Sequence, residues 1–106
     1  MNDSQIELSI VIPCLNEEDT VGLCIDKAFS NLKKLNIAGE VILSDNGSSD
    51  KSVLIAKTKG AKVINVQNKG YGAAIKAGIE KSKGKFILFA DADNSYDFNQ
   101  IDKFYV

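Results

Sequence analysis

Apolar and polar positions alternate along this chain in two rhythms. Short, mainly apolar runs occupy 6–13, 40–44, 62–66 and 85–90, the first of them β-branched, the pattern of buried parallel strands. Between them, apolar residues recur at helical spacing. Val21, Ile25, Ala28, Phe29, Leu32 and Leu35 form one apolar face. Asn16 is placed to cap that helix, with Glu17, Glu18 and Asp19 at its positive end. The turn-rich segment 45–50 starts a shorter helix through about Lys59, stopped by Gly60. A third helix is predicted over 73–83, packed through Ala74, Ile75, Gly78 and Ile79, and a further one begins after Asn94.

Four strand–helix alternations predict βαβ units and a mainly parallel, doubly wound, Rossmann-like α/β sheet. Ligands of such sheets bind beyond the carboxyl ends of the strands, where strand order reverses. Polar clusters sit at that edge: Asn16-Glu17 after the first strand, Asp45-Asn46-Gly47-Ser48 after the second, Asp91-Ala92-Asp93 after the fourth.

The last cluster carries the sharpest chemistry. Two carboxylates where a chain leaves the core cost free energy unless something compensates them. A hard divalent cation does so: carboxylate oxygens suit Mg²⁺ or Mn²⁺, which keep positions open for substrate phosphates. The spacing alone is weak, because solvated loops carry paired acids by chance; its place after an apolar strand strengthens it.

Composition narrows the field. A length of 106 residues builds one domain at most. A net charge of −1 gives no nucleic-acid footprint. All 13 basic residues are lysines and there is no His, so this chain offers no imidazole base, no imidazole metal ligand and no bidentate guanidinium clamp. Cys14 and Cys24 lack zinc spacing and a disulfide framework, and read as reduced, partly buried thiols. No stretch approaches the roughly 20 apolar residues of a membrane span, and the polar, acidic start is unlike a secretory signal, so a cytoplasmic setting is expected.

Four motifs in order resemble those of family 2 glycosyltransferases with the GT-A fold. They are Ile12-Pro13-Cys14-Leu15-Asn16-Glu17, the turn from Ser44 to Asp50, the glycine-rich segment from Asn68 to Gly78, and Asp91-Ala92-Asp93. The likeness is greatest to the polyprenol-phosphate (dolichol-phosphate) sugar synthase branch. It implies transfer of a sugar, with inversion and metal assistance, from a nucleotide-diphosphate sugar to an acceptor such as polyprenyl phosphate. It also implies a cytoplasmic membrane face for the full-length protein.

By that resemblance Pro13 and Leu15 would line the base pocket, and Asn16 and Glu17 belong to the nucleoside side. Asp45 and Asn46 match the acid pair of the turn, one of which accepts a hydrogen bond from the base. Asp91, Ala92 and Asp93 would meet ribose and metal, with Asp91 and Asp93 as ligands and Asp93 the more direct. Two departures are visible: Asn46 replaces an acid and can donate as well as accept, and no aromatic stands at Leu15. The family's acceptor half and general base lie C-terminal to the last motif, so the resemblance places the general base beyond Val106 and assigns no catalytic residue within 1–106. Residues 1–106 are therefore expected to be the nucleotide-sugar-binding part of a domain truncated at its C-terminus. That part should bind nucleotide, transfer no sugar and self-associate through its uncovered edge.

Plainer readings stand beside these. Glu17 suits a helix dipole, and 45–48 is good turn chemistry by itself. Gly70-x-Gly72 follows the third strand rather than the first, which argues against a dinucleotide fingerprint; it reads instead as close packing of helix and loop. Lys69 could meet a phosphate but reads more simply as solvated, and Tyr71 and Tyr96 read as partial core or rim. Rival functions are a phosphoryl-transfer enzyme using the Asp-x-Asp and a receiver-like signalling module. The first wants its motif on the first strand with a lysine on a later one, whereas here the motif comes last; the receiver wants its acid pair after the first strand and a further Asp after the third, where this chain has Val66-Gln67-Asn68.

Overall fold

A computed structural model describes residues 5–93. The helix expected after Asn94, and Tyr96 within it, lie outside the described residues. So does Val106, beyond which the resemblance places the general base. The elements are β1 (Leu8–Cys14), α1 (Val21–Lys34), β2 (Gly39–Asp45), α2 (Ser52–Thr58), β3 (Lys62–Asn65), α3 (Tyr71–Lys81) and β4 (Phe86–Phe89). All pairings are parallel and the strand order is β3-β2-β1-β4. The doubly wound sheet expected from the alternation is therefore present.

The two central strands explain the core. Every residue of β1 is buried, and all of β2 except Gly39. Ile10, Ile12, Val41 and Leu43 share a cluster with Val21, Ile25, Ala28 and Leu32 of α1 and Ala56 of α2. Alternate β1 residues point the other way, and there α3 covers Val11. A Cβ on Gly78 would stand 2.3 Å from Val11 Cγ1 and 2.9 Å from Ser44 Oγ, so this glycine sets how closely α3 meets the sheet. Ala74 and Gly78 are the buried residues of α3, whereas Ile79 is exposed, contrary to the expected packing face.

Two further expectations are corrected. The apolar run that reads as a wholly buried fourth strand is an edge strand among the described residues, with Phe86 59% and Phe89 37% exposed. Burial of a strand depends on its neighbours, and among the described residues β4 has only β1 beside it. Asn16 does not cap α1. It adopts a left-handed backbone (φ 53°), which interrupts helical geometry, and α1 begins only at Val21 with no acid in its first turn.

At the amino ends of the strands, opposite the ligand edge, buried Glu40 organises a polar cluster. It accepts hydrogen bonds from Ser9 Oγ (2.6 Å), Lys62 Nζ (2.8 Å) and the Lys83 N–H (2.8 Å). Ser9 Oγ in turn accepts the Gly84 N–H. The cluster ties β1, β2, β3 and the α3–β4 turn together.

Candidate functional site

Strands β1, β2 and β3 step outward in one direction, and the chain then crosses back to set β4 against the other side of β1. Strand order thus reverses between β1 and β4, and a cleft of ≈ 520 Å³ opens there. Its walls come from the end of β1 (Pro13, Cys14, Leu15, Glu17), from Asn46, from the segment after β3 (Lys69, Gly70, Tyr71, Ala74), and from Asp91, Ala92 and Asp93.

Asparagines lace the loops around it. Asn16 Oδ1 accepts the N–H groups of Ser49 (2.8 Å) and Asp50 (3.3 Å), and its own N–H donates to Ser48 Oγ (2.8 Å). Its left-handed backbone is what turns the side chain toward the second loop. Asn46 does the same one loop further on, donating Nδ2 to the Asn68 carbonyl (2.9 Å) and accepting the Gly70 N–H (2.8 Å). Asp45, 2% exposed, spends its carboxylate on its own turn, accepting from the Gly47 and Ser48 N–H groups and from Ser48 Oγ. Gly70 has φ 112°, a conformation that L side chains rarely adopt, and a Cβ there would meet nothing within 4 Å. Its glycine therefore serves the backbone turn into α3 rather than the close packing expected of it; Gly78 does the packing.

The fourth loop is fastened from α1's side. Thr20 Oγ1 donates to the Ala92 carbonyl (2.6 Å) and Cys24 Sγ to the Asp91 carbonyl (3.6 Å). From the opposite wall, the Tyr71 hydroxyl donates to Asp91 Oδ1 at 3.2 Å. Partial burial, with the Asp91 charge adding to it, pushes the Tyr71 hydroxyl above its usual range, which keeps it a neutral donor. Burial likewise pushes the Cys14 thiol up, so this cysteine on the cleft wall is a thiol rather than a nucleophilic thiolate. Neither cysteine forms a disulfide among the described residues, as their spacing suggested, and both are buried rather than partly buried.

No group of three side-chain metal ligands forms among the described residues. Two exposed carboxylates in one open cleft nevertheless fit Mg²⁺ or Mn²⁺, which bind through one or two carboxylates and take remaining ligands from substrate phosphates and water. Asp91 and Asp93 are the residues that could hold such an ion.

Of the residues singled out from sequence, Pro13, Leu15, Glu17, Asn46, Asp91, Ala92 and Asp93 line the cleft. Asn16 and Asp45 stand behind it and shape its loops. Lys69, read as solvated, Tyr71, read as partial core or rim, and Ala74, read as helix packing, line the wall as well. The signal was available: the segment after β3 lies at the same sheet edge as the three acidic clusters, and it opens a helix.

Comparison with known proteins bears on this arrangement. The family described as "Glycosyl transferase family 2" matches residues 9–105. The low-salt glycan biosynthesis hexosyltransferase of Haloferax volcanii is 41% identical over 96 residues, covering 91% of this chain and 23% of that protein. Human dolichyl-phosphate beta-glucosyltransferase is 36% identical over 110 residues, covering 92% of this chain and 34% of its own length. The chain thus spans about a quarter to a third of these relatives. Among solved structures, mannosyl-3-phosphoglycerate synthase from Rubrobacter xylanophilus superposes with a TM-score of 0.81 at 25% identity, over 91% of this chain and 33% of that one. Glucosyl-3-phosphoglycerate synthase from Mycobacterium tuberculosis, in complex with Mn²⁺, uridine diphosphate and glucosyl-3-phosphoglycerate, does so at 0.69 and 29% identity, over 85% and 34%.

Proposed function

The chain belongs to glycosyl transferase family 2, and from that premise we propose that it forms the donor- and metal-binding part of an inverting glycosyltransferase. The donor is a nucleotide-diphosphate sugar, and the acceptor of the whole protein is a polyprenyl phosphate at a membrane face. The general base of that whole protein belongs, in this reading, to sequence beyond Val106. The observation that carries the reading is the cleft at the strand-order reversal, where Asp91 and Asp93 share walls with Lys69 and the start of α3. The acceptor class draws support from the dolichyl-phosphate relatives, and the pairing of metal with nucleotide from the Mn²⁺–uridine diphosphate complex of a structural neighbour. Among the described residues no helix is long and apolar enough to cross a membrane.

Each wall has a task in this reading. Pro13 and Leu15 offer the nucleoside an apolar surface, and Glu17 offers a carboxylate beside it. Asn16, Asp45 and Asn46 hold the loops that shape this pocket. Lys69 supplies a cation, and α3 begins at the cleft with no side-chain cap and no acid in its first turn, an arrangement that favours a diphosphate. Asp91 and Asp93 would hold the divalent cation. When bound, that cation supplies Lewis-acid stabilisation of the departing diphosphate.

Calorimetric titration of UDP, GDP and ADP with and without Mn²⁺ tests the reading. Binding is expected to require the metal and to weaken in Asp93→Asn by about 1.5–3 kcal/mol, the range for a charged partner. Equal affinity in excess chelator would overturn it.

A further inference from the structure

We infer that Tyr71 is a positioning residue for Asp91, holding that carboxylate in the orientation from which it meets a nucleotide and its cation; this rests on the nucleotide reading above. The hydrogen bonds around the cleft run loop to loop in a closed circuit. Asn46 joins the second loop to the third, and Asn16 joins the second to the first. Thr20 and Cys24 join the first loop and α1 to the backbone of the fourth. Tyr71 to Asp91 completes the circuit from the fourth loop back to α3, across the point where strand order reverses.

These links leave one freedom at Asp91. Its own carbonyl and that of Ala92 are held from the α1 side, so the loop backbone is fixed. The carboxylate itself is exposed on the cleft wall, and among the described residues the side-chain bond that orients it is the one from the Tyr71 hydroxyl to Oδ1. A phenol donates one proton and a carboxylate has two acceptor oxygens, so this bond orients the group and leaves Oδ2 available. Tyr71 is 60% exposed, with its ring on the cleft wall rather than in the core. Core packing alone does not account for a large aromatic at that place. Hydrogen-bond donors to ligating carboxylates fix their geometry, and losing one typically lowers metal affinity 10–100-fold.

The test is a double-mutant cycle read by calorimetry of UDP with Mn²⁺ on the intact 106-residue chain. Tyr71→Phe keeps the ring and removes the donor. It is expected to weaken Mn²⁺-dependent binding about tenfold while the thermal midpoint stays put. In an Asp91→Asn background the same change should add nothing further, because the group it positions has lost its charge. Wild-type affinity in Tyr71→Phe, or effects of the two substitutions that simply multiply, overturns the inference and leaves the nucleotide reading standing. Absence of Mn²⁺-dependent binding by the wild-type chain overturns both.

Discussion

Asn46 and Gly70 are joined by a 2.8 Å hydrogen bond from the glycine N–H to Oδ1, while the same side chain donates Nδ2 to the Asn68 carbonyl at 2.9 Å. Both ends of the amide are in use, which explains why an asparagine stands where the family motif carries an acid. A carboxylate could keep the bond from Gly70 but would set a negative oxygen against the Asn68 carbonyl. Asn46→Asp should therefore destabilise the fold by about 1–3 kcal/mol despite being isosteric. Urea unfolding measures this, and an unchanged midpoint would show that the amide is not fastening the third loop.

Gly78 gives a prediction in which two effects oppose each other. Glycine to alanine inside a helix ordinarily gains up to about 1 kcal/mol. Here the new methyl would lie 2.3 Å from Val11 Cγ1, a β-branched side chain with no exposed surface. Overpacking of that kind costs about 1–3 kcal/mol, so Gly78→Ala should be net destabilising. Gly72→Ala, in the same helix with open space around the added atom, serves as the control and should not destabilise. Equal effects of the two substitutions on the thermal midpoint would refute the close approach.

Acid should probe the opposite edge of the sheet. Burial pushes the Glu40 carboxyl up, but hydrogen bonds from Lys62, Ser9 and the Lys83 backbone, with the Lys62 charge, outweigh it and hold the group below its ordinary value. A folded value below the unfolded one means stabilisation that is present above the unfolded pKa of about 4.3 and lost as pH falls through the folded value. Unfolding free energy measured from about pH 6 to pH 3 should therefore fall more steeply in the wild-type chain than in Glu40→Gln. Parallel curves would mean that Glu40 titrates alike in both states.

Much of this architecture was legible in the sequence because its signals are local. Apolar runs closed by turn residues mark β1 and β2, and Gly60, with φ 94°, ends α2 where expected. What stayed hidden depends on residues far apart in the chain. The exposure of Phe86 and Phe89 follows from strand order, which periodicity does not encode. Asn16 looks like a cap because caps are local, yet its partners lie more than thirty positions away, at Ser49 and Asp50. At the site, Asp91 and Asp93 announced themselves by residue type, whereas Tyr71 has meaning only once α3 is folded beside the fourth loop.

Lys69 offers the most direct measure of how the cleft divides its work. With no Arg or His in the chain, any side-chain cation it offers a phosphate beside the metal is a lysine, and among the described lysines Lys69 lines this cleft. It lies in the loop that Asn46 fastens, one residue before the glycine that turns the chain into α3. A solvated ammonium meeting a diphosphate gains about 1 kcal/mol, because water screens it. That corresponds to roughly fivefold in affinity. Lys69→Ala should thus weaken UDP binding about fivefold, leave uridine binding unchanged, and flatten the salt dependence of UDP affinity. Calorimetry with both ligands at low and high ionic strength separates these effects. Equal losses for uridine and UDP would assign Lys69 to loop structure instead of phosphate recognition.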